Sequence, residues 1–219
     1  PFDLDLFLAE MDALYQRGAR HFKFVDRTFN LKIKNSLRIL EFFQARLSDD
    51  LFLHFEVVPD HLPDALKEAI AQFPAGSLQF EIGIQTFNTD VQQRISRRQD
   101  NTKAQDNMRW IRDNSEAYIH ADLIFGLPGE TLTSFADSFD QLFALRPHEI
   151  QVGILKRLKG SPIVRHTEAH QLRFNPNPPF SIVSSDTVSF ADVQRIGRFA
   201  RYWDLIGNSG RFKNMLPLL

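Results

Sequence analysis

Three short apolar runs each carry polar residues two positions apart. They are His54 and Glu56 in "LFLHFEVV" (51–58), Glu81 and Gly83 in "LQFEIGI" (78–84) with Gln85 just after it, and His120 and Asp122 in "YIHADLIF" (118–125). On an extended chain, residues two apart point the same way. Burying so many acids and amides costs on the order of several kcal/mol unless they bind something or pair with one another. Two chemistries suit the set. A metal-dependent hydrolase would place the imidazoles and carboxylates of His54, Glu56, His120 and Asp122 on a divalent ion. Against it, each His precedes its acid and lies deeper in its run, and no further His clusters nearby. The second chemistry is a pocket for a polar, ribose-bearing cofactor, with carboxylates accepting sugar hydroxyls and Gln and Arg covering the rest. Spacing leans to the second. Internal pairing accounts for any one of these residues, but for the whole set, on three successive strands, a binding site is the expectation.

The elements that must carry these residues are legible from periodicity. "HFKFV" (21–25) and "EIQVGIL" (149–155) complete a series of five apolar runs, their starts roughly 30 to 40 residues apart, with a helix-length segment between each pair. In "DLDLFLAEMDALYQRG" the positions Leu4, Phe7, Leu8, Met11, Leu14 and Tyr15 share one helical face, and Gly18 stands at the C-cap. "KNSLRILEFFQARL" repeats the pattern with Leu37, Leu40, Phe43 and Leu47, and "DHLPDALKEAIAQF" opens on an acid and Pro63. "NTKAQDNMRWIRDN" and "TLTSFADSFDQLFAL" fill the last two gaps. Such alternation predicts an α/β fold of parallel βα units, a partial (β/α) barrel rather than a doubly wound sheet. The doubly wound alternative would carry a Gly-rich loop after an early strand, and "FVDRTFN" is not one. In a parallel barrel the C-terminal strand ends carry the site. Residues 1–165 form the predicted barrel part. Beyond it, "RFNPNPPFS" (173–181) reads as a loop or linker and "SFADVQRIGRFARYWDLI" (189–206) as an amphipathic helix, so 166–219 is a C-terminal helical extension.

Composition narrows the function classes. Lys plus Arg total 26 against 27 acids, for a formal charge of −1, which gives no electrostatic reason for a nucleic-acid or anionic-membrane partner. Hydrophobic residues make up 43% of the 219, enough for a sizeable core, and the 21 phenylalanines fall mostly in apolar runs. With no cysteine there is no disulfide framework, thiolate nucleophile or self-contained iron–sulfur site. No apolar run nears the ~20 residues of a membrane span, and with no secretory signal a cytoplasmic location is the default. The sequence opens at Pro1 rather than Met, so a fragment of something longer is expected.

The pair "EIGIQTFNTDVQQRISRRQD" (81–100) and "ADLIFGLPGETLTSF" (121–135) resembles the radical S-adenosylmethionine (SAM) superfamily, most closely its cobalamin-associated branch and the oxygen-independent coproporphyrinogen oxidases. "EIQVGILKRLKGSPI" (149–163) continues the likeness as a sixth strand, with Leu-Lys-Gly-Ser-Pro in place of the common Leu-x-Gly-Thr-Pro. The resemblance implies an incomplete TIM-like barrel of six βα units, here strands 2–6, holding SAM across the C-terminal strand ends. "HFEVVPD" is similar to the family's Glu-Val-Asp-Pro stretch, which makes Glu56 a ligand candidate for the SAM ribose. "GIQTFN" matches Gly-Val-Gln-Ser-Phe-Asn, so Gln85 would contact SAM. Arg97 matches in spacing the Arg that meets the methionyl carboxylate, and Asp122 the Asp that opens the fifth-strand motif. "GLPGET" would then be a rigid turn placing the next helix beside the adenine.

Two departures matter. Where the family's second strand ends in a Gly-Gly-Glu-type motif for the methionyl amine, this sequence has "VDRTFN", with Asp26, Arg27 and Thr28 as substitutes. The CxxxCxxC loop that ligates the 4Fe–4S cluster is missing and would lie just upstream of Pro1, in a missing N-terminal region of the same polypeptide. The expectation is thus the C-terminal part of a radical SAM enzyme, inactive by itself. Its parent would reductively cleave SAM to methionine and a 5′-deoxyadenosyl radical that acts on a small-molecule substrate, unknown from the sequence. By resemblance alone, a cobalamin domain precedes the barrel, and the branch includes proteins labelled magnesium-protoporphyrin monomethyl ester oxidative cyclases. Nothing in these residues reads a porphyrin. The alternatives are the metal hydrolase, which predicts bound zinc or manganese, and a non-catalytic binding module whose parent gene also lacks the three cysteines.

Overall fold

The structure, a computed structural model, describes residues 3–26, 28–212 and 214–216. Helix α1 (Leu4–Gln16) starts where the Asp3 carboxylate accepts the N–H groups of Asp5 and Leu6, and it ends at Gly18, whose φ of +96° closes the last turn. Strand β1 (His21–Phe24), α2 (Ile33–Gln44), β2 (Phe52–Glu56), α3 (Asp64–Ile70) and β3 (Leu78–Gln85) follow, then a short α4 (Thr89–Arg94) and α5 (Asn101–Asn114). Strand β4 (Tyr118–Phe125), α6 (Leu132–Ala144), β5 (Glu149–Ile154), the short strands β6 (Arg173–Phe174) and β7 (Ile182–Ser184), and α7 (Phe190–Ile206) complete the order.

The parallel sheet runs β1-β2-β3-β4-β5, in chain order. A doubly wound sheet reverses strand order at a switch point, whereas barrel-type winding adds each strand beside the last. The observed order is barrel-type, as the alternation predicts. Register pairs Lys23 with His54 and Glu56 with Glu81. Along β3 and β4 every second residue is buried and every other one half-buried. Glu81, Gly83 and Gln85 thus share the less buried face of β3, as do His120 and Asp122 on β4.

The chain divides into two compact units, residues 1–83 with 100–120 and residues 84–99 with 121–219. The first is organised around phenylalanine. Phe55 stacks on Phe24 and Phe29 with ring centroids 4.4 and 3.9 Å apart, and Phe43 meets Phe22 at 4.9 Å. Each such pair adds about 0.5–1.5 kcal/mol beyond its buried area. In the second unit Phe125 meets Phe135 at 5.1 Å, and Phe139 of α6 packs edge-on against Trp203 of α7.

Three expectations change. The stretch 173–181 is a loop over 175–181, as one of its two readings has it, but it closes the antiparallel pair β6–β7 instead of linking separate parts, and α7 packs on β5 and β7. Strands of two and three residues are too short to leave a periodic signal. Leu14, placed on the apolar face of α1, is exposed, since α1 buries no residue completely. Leu47 is exposed too, lying beyond the end of α2 at Ala45.

Candidate functional site

In the first unit the polar residues of β1–β3 divide into a paired set and an open one. His54 is buried, its Nε2 is 2.9 Å from Glu81 Oε2, and Lys23 Nζ reaches the same oxygen at 3.6 Å. Internal pairing therefore accounts for His54 and Glu81. Glu56, the last residue of β2, is half-buried and its carboxylate has no hydrogen-bond partner among the described residues. Its carboxylate oxygens keep acceptor capacity for hydroxyl donors from a ligand.

After β1, the Asp26 carboxylate accepts the Thr28 N–H at 2.9 Å and the Thr28 hydroxyl at 2.8 Å, an Asx turn on the surface. The structure thus brings Asp26 and Thr28 together, while Arg27 lies outside the described residues. Sequence reasoning missed Asn30. It is buried, its amide nitrogen donates to the Val58 carbonyl at 2.8 Å, and its oxygen accepts the Val58 N–H at 2.8 Å. It ties the loop after β1 to the loop after β2, two residues beyond Glu56.

In the second unit, Gln85 ends β3 in a left-handed conformation, φ +68°. For a residue other than glycine that costs roughly 1–2 kcal/mol. Its side-chain oxygen is buried and has no hydrogen-bond partner among the described residues. A strained backbone and an orphaned acceptor at one residue are both unfavourable to the folded chain alone, and they fit a donor from a bound group. Arg97 follows α4 in a segment whose residues Gln92, Ser96, Arg97, Arg98 and Gln99 line an open polar cleft, and its Nε donates to Gln99 Oε1 at 3.0 Å. Asp122 stands on the half-buried face of β4.

The "GLPGET" turn is as stiff as its sequence suggests. Glu130 N–H closes on the Leu127 carbonyl at 3.0 Å, with Pro128 and then Gly129, φ +74°, at the central positions. A Cβ on Gly129 would stand 2.5 Å from Arg94 Nη1, and one on Gly126, φ +91°, 2.8 Å from Ile182 Cγ2. Thr131 then caps α6 through a box with Ser134. The sequence did not reveal Glu130 itself. It reads as a helix-start acid, yet it is fully buried, one oxygen accepting the Thr86 hydroxyl at 2.7 Å and the other without a partner among the described residues. Burial pushes its carboxyl up to about 8, against the opposing hydrogen bond from Thr86.

The residue types fit SAM: carboxylate and amide oxygens with spare acceptor capacity, and a guanidinium nearby in sequence. They do not fit an iron–sulfur cluster, because the sequence has no cysteine. The metal-hydrolase arrangement is not formed either. His54 is committed to Glu81, and among the described residues no three His, Asp or Glu side chains are placed to hold a metal ion.

A parallel sheet with polar residues at its strand ends defines a class, the barrel-type α/β proteins that bind ligands at those ends. Residues 2–142 match the Radical SAM superfamily, and the chain belongs to it. The family uses SAM and a 4Fe–4S cluster. Oxygen-independent coproporphyrinogen III oxidase from Paracoccus denitrificans is 32% identical over 95 residues, 43% of this chain and 21% of that protein. Its counterpart from Synechocystis is 30% identical over 106 residues, 48% of this chain and 22% of that protein. The chain thus spans about a fifth of the length of these relatives. In fold it is similar to the radical SAM methyltransferase TsrM from Kitasatospora setae with cobalamin and a 4Fe–4S cluster bound (TM-score 0.65, 17% identity, 89% of this chain and 41% of that one). It is also similar to coproporphyrinogen III oxidase HemN from Escherichia coli (TM-score 0.57, 20% identity, 78% of this chain and 37% of that one).

Proposed function

We propose that this chain supplies the SAM-binding strands of a radical SAM enzyme. Glu56 accepts hydroxyls of the ribose, Gln85 and Asp122 make further polar contacts to SAM, and Arg97 meets the methionyl carboxylate. Asp26 and Thr28 take the place of the family's Gly-Gly-Glu-type motif at the methionyl amine. The observation that carries this reading is Gln85: a left-handed backbone and an orphaned buried oxygen, in a segment that follows the family's pattern. When bound, SAM and a reduced cluster supply one-electron cleavage to methionine and a 5′-deoxyadenosyl radical. This chain's residues bind and orient the cofactor. The cysteine loop comes from residues outside this sequence, so the chain by itself is inactive. A cobalamin-binding domain elsewhere in the same polypeptide and a small-molecule substrate complete the proposal.

The test is anaerobic expression of the parent polypeptide that includes its cluster loop, with iron content and the EPR spectrum of the reduced protein measured with and without SAM. About four irons per chain and a spectrum that shifts with SAM are expected. Gln85→Ala and Asp122→Asn are each expected to keep the iron while weakening SAM binding about tenfold or more, which is ~1.4 kcal/mol. A cluster-loaded wild type whose spectrum ignores SAM overturns the reading, and an iron-free parent favours a binding module.

A further inference from the structure

Thr86 follows the strained Gln85 and is the pivot of a buried polar cluster. Its hydroxyl donates to Glu130 Oε1 at 2.7 Å, accepts the Asn88 N–H at 3.1 Å and stands 3.4 Å from Ser138 Oγ. Ser138 Oγ accepts the Phe87 N–H at 3.1 Å, and the Gln92 side-chain nitrogen donates to the Thr86 carbonyl at 2.8 Å. Residues 86–88 are therefore gripped from α4, from the turn before α6 and from α6 itself. Thr86, Glu130 and Ser138 are all essentially inaccessible to solvent.

A carboxyl is a demanding choice for such a place. Desolvation disfavours its ionised form, and among the described residues no cation forms an ion pair with it. The charged group packed against this turn is Arg94, whose guanidinium lies over Gly129. An apolar residue at 130 would avoid the penalty but would leave the Thr86 hydroxyl without its acceptor. The Glu130 backbone is fixed as well, its N–H by the Leu127 carbonyl and its carbonyl by the Thr187 hydroxyl at 2.7 Å. The acceptor is thus held from both sides, and what it holds in turn is the residue next to Gln85.

We propose that Glu130 is a positioning residue of the SAM pocket. Through Thr86 it clamps residues 85–87 and fixes the direction in which Gln85 presents its amide. The proposal rests on the SAM reading above, and it adds a residue that touches no ligand. Glutamine is the neutral equivalent of a protonated Glu130 and keeps the acceptor, whereas Glu130→Ala removes it and Thr86→Val removes the donor.

The test compares wild type, Glu130→Gln, Glu130→Ala and Thr86→Val by amide hydrogen exchange of the full chain and by equilibrium dialysis of the cluster-loaded parent polypeptide with S-adenosylhomocysteine. In the Ala and Val variants the amides of Phe87 and Asn88 should exchange about tenfold faster or more, with the β2 amides unchanged. Their affinity for S-adenosylhomocysteine should fall about tenfold or more, and Glu130→Gln should keep both properties. Unchanged protection at Phe87 and Asn88, acceleration that extends equally to β2, or a loosened clamp with undiminished affinity would each overturn the proposal. Wild type that protects Phe87 and Asn88 yet takes up no S-adenosylhomocysteine would instead overturn the SAM reading, a pattern distinct from any variant effect.

Discussion

Glu130 and Gln85 carry opposite kinds of tension, and each makes a prediction at its own position. Burial pushes the Glu130 carboxyl up to about 8 from an ordinary 4.5, so the folded state holds that proton more tightly than the unfolded state. The stability this confers is complete below about pH 4.5, is lost as pH rises toward 8, and is level beyond. Glu130→Gln should match wild type near pH 4.5 and exceed it by a few kcal/mol at pH 8, as read from urea midpoints at both values. Wild-type stability that did not fall relative to the Gln variant across that interval would mean the acid finds a counter-charge. At Gln85 the tension is conformational. Gln85→Gly should relieve the φ of +68° and stabilise the chain by about 1 kcal/mol while weakening SAM binding. Gain and loss together in one variant, from thermal unfolding and a binding titration, are the signature of strain kept for a ligand.

At the scale of elements, loops and turns place the strand ends. Asn30 joins the two loops after β1 and β2 through both amide atoms. Asn30→Ala should leave the Val58 N–H unpaired and the Val58 carbonyl with only the 3.4 Å bond from the His61 N–H, at a cost of about 1–3 kcal/mol, measured by chemical denaturation. Gly129→Ala should cost about 1–2 kcal/mol, because the left-handed turn position opposes a side chain, while the exposed Arg94 guanidinium can move aside. Strand and helix positions were legible beforehand because burial on one face imposes a period. All five strand runs, from "HFKFV" to "EIQVGIL", lie within a residue or two of strands in the structure. The β6–β7 pair was not legible, since strands of two and three residues show no period. Within the site, polar residues were visible as exceptions to an apolar pattern, but their fates were not. His54 and Glu56 look alike in "HFE", and only the structure shows His54 reaching diagonally to Glu81, which stands in register with Glu56. Glu130 was hidden because a turn acid before a helix normally reaches water, and its burial depends on Thr86, 44 positions away.

For the whole molecule, the family match, the nearly balanced charge and the absence of cysteine bear on one question: what the chain can hold by itself. Its 26 basic and 27 acidic residues give no field that would gather polyanions, and no helix among the described residues is long and apolar enough to cross a membrane. The buried Gln85 oxygen and the Glu56 carboxylate are the open acceptors on which the proposed cofactor contacts rest. Iron–sulfur clusters are held chiefly by thiolates, with imidazole as a partial substitute. Here there are no thiolates, and among the described residues no three His, Asp or Glu side chains are placed to hold a metal ion. Reconstitution of the 219-residue chain with iron and sulfide should therefore leave less than about a tenth of a cluster per chain after desalting, by iron and sulfide assay. The same treatment of a polypeptide that includes a CxxxCxxC loop should leave about four irons. Removing that iron with a chelator should lower the melting temperature of the longer polypeptide and leave that of the 219-residue chain unchanged, because a ligand stabilises only the protein that binds it. Stoichiometric iron on the cysteine-free chain would require imidazole and carboxylate ligands, a grouping that the described residues do not form.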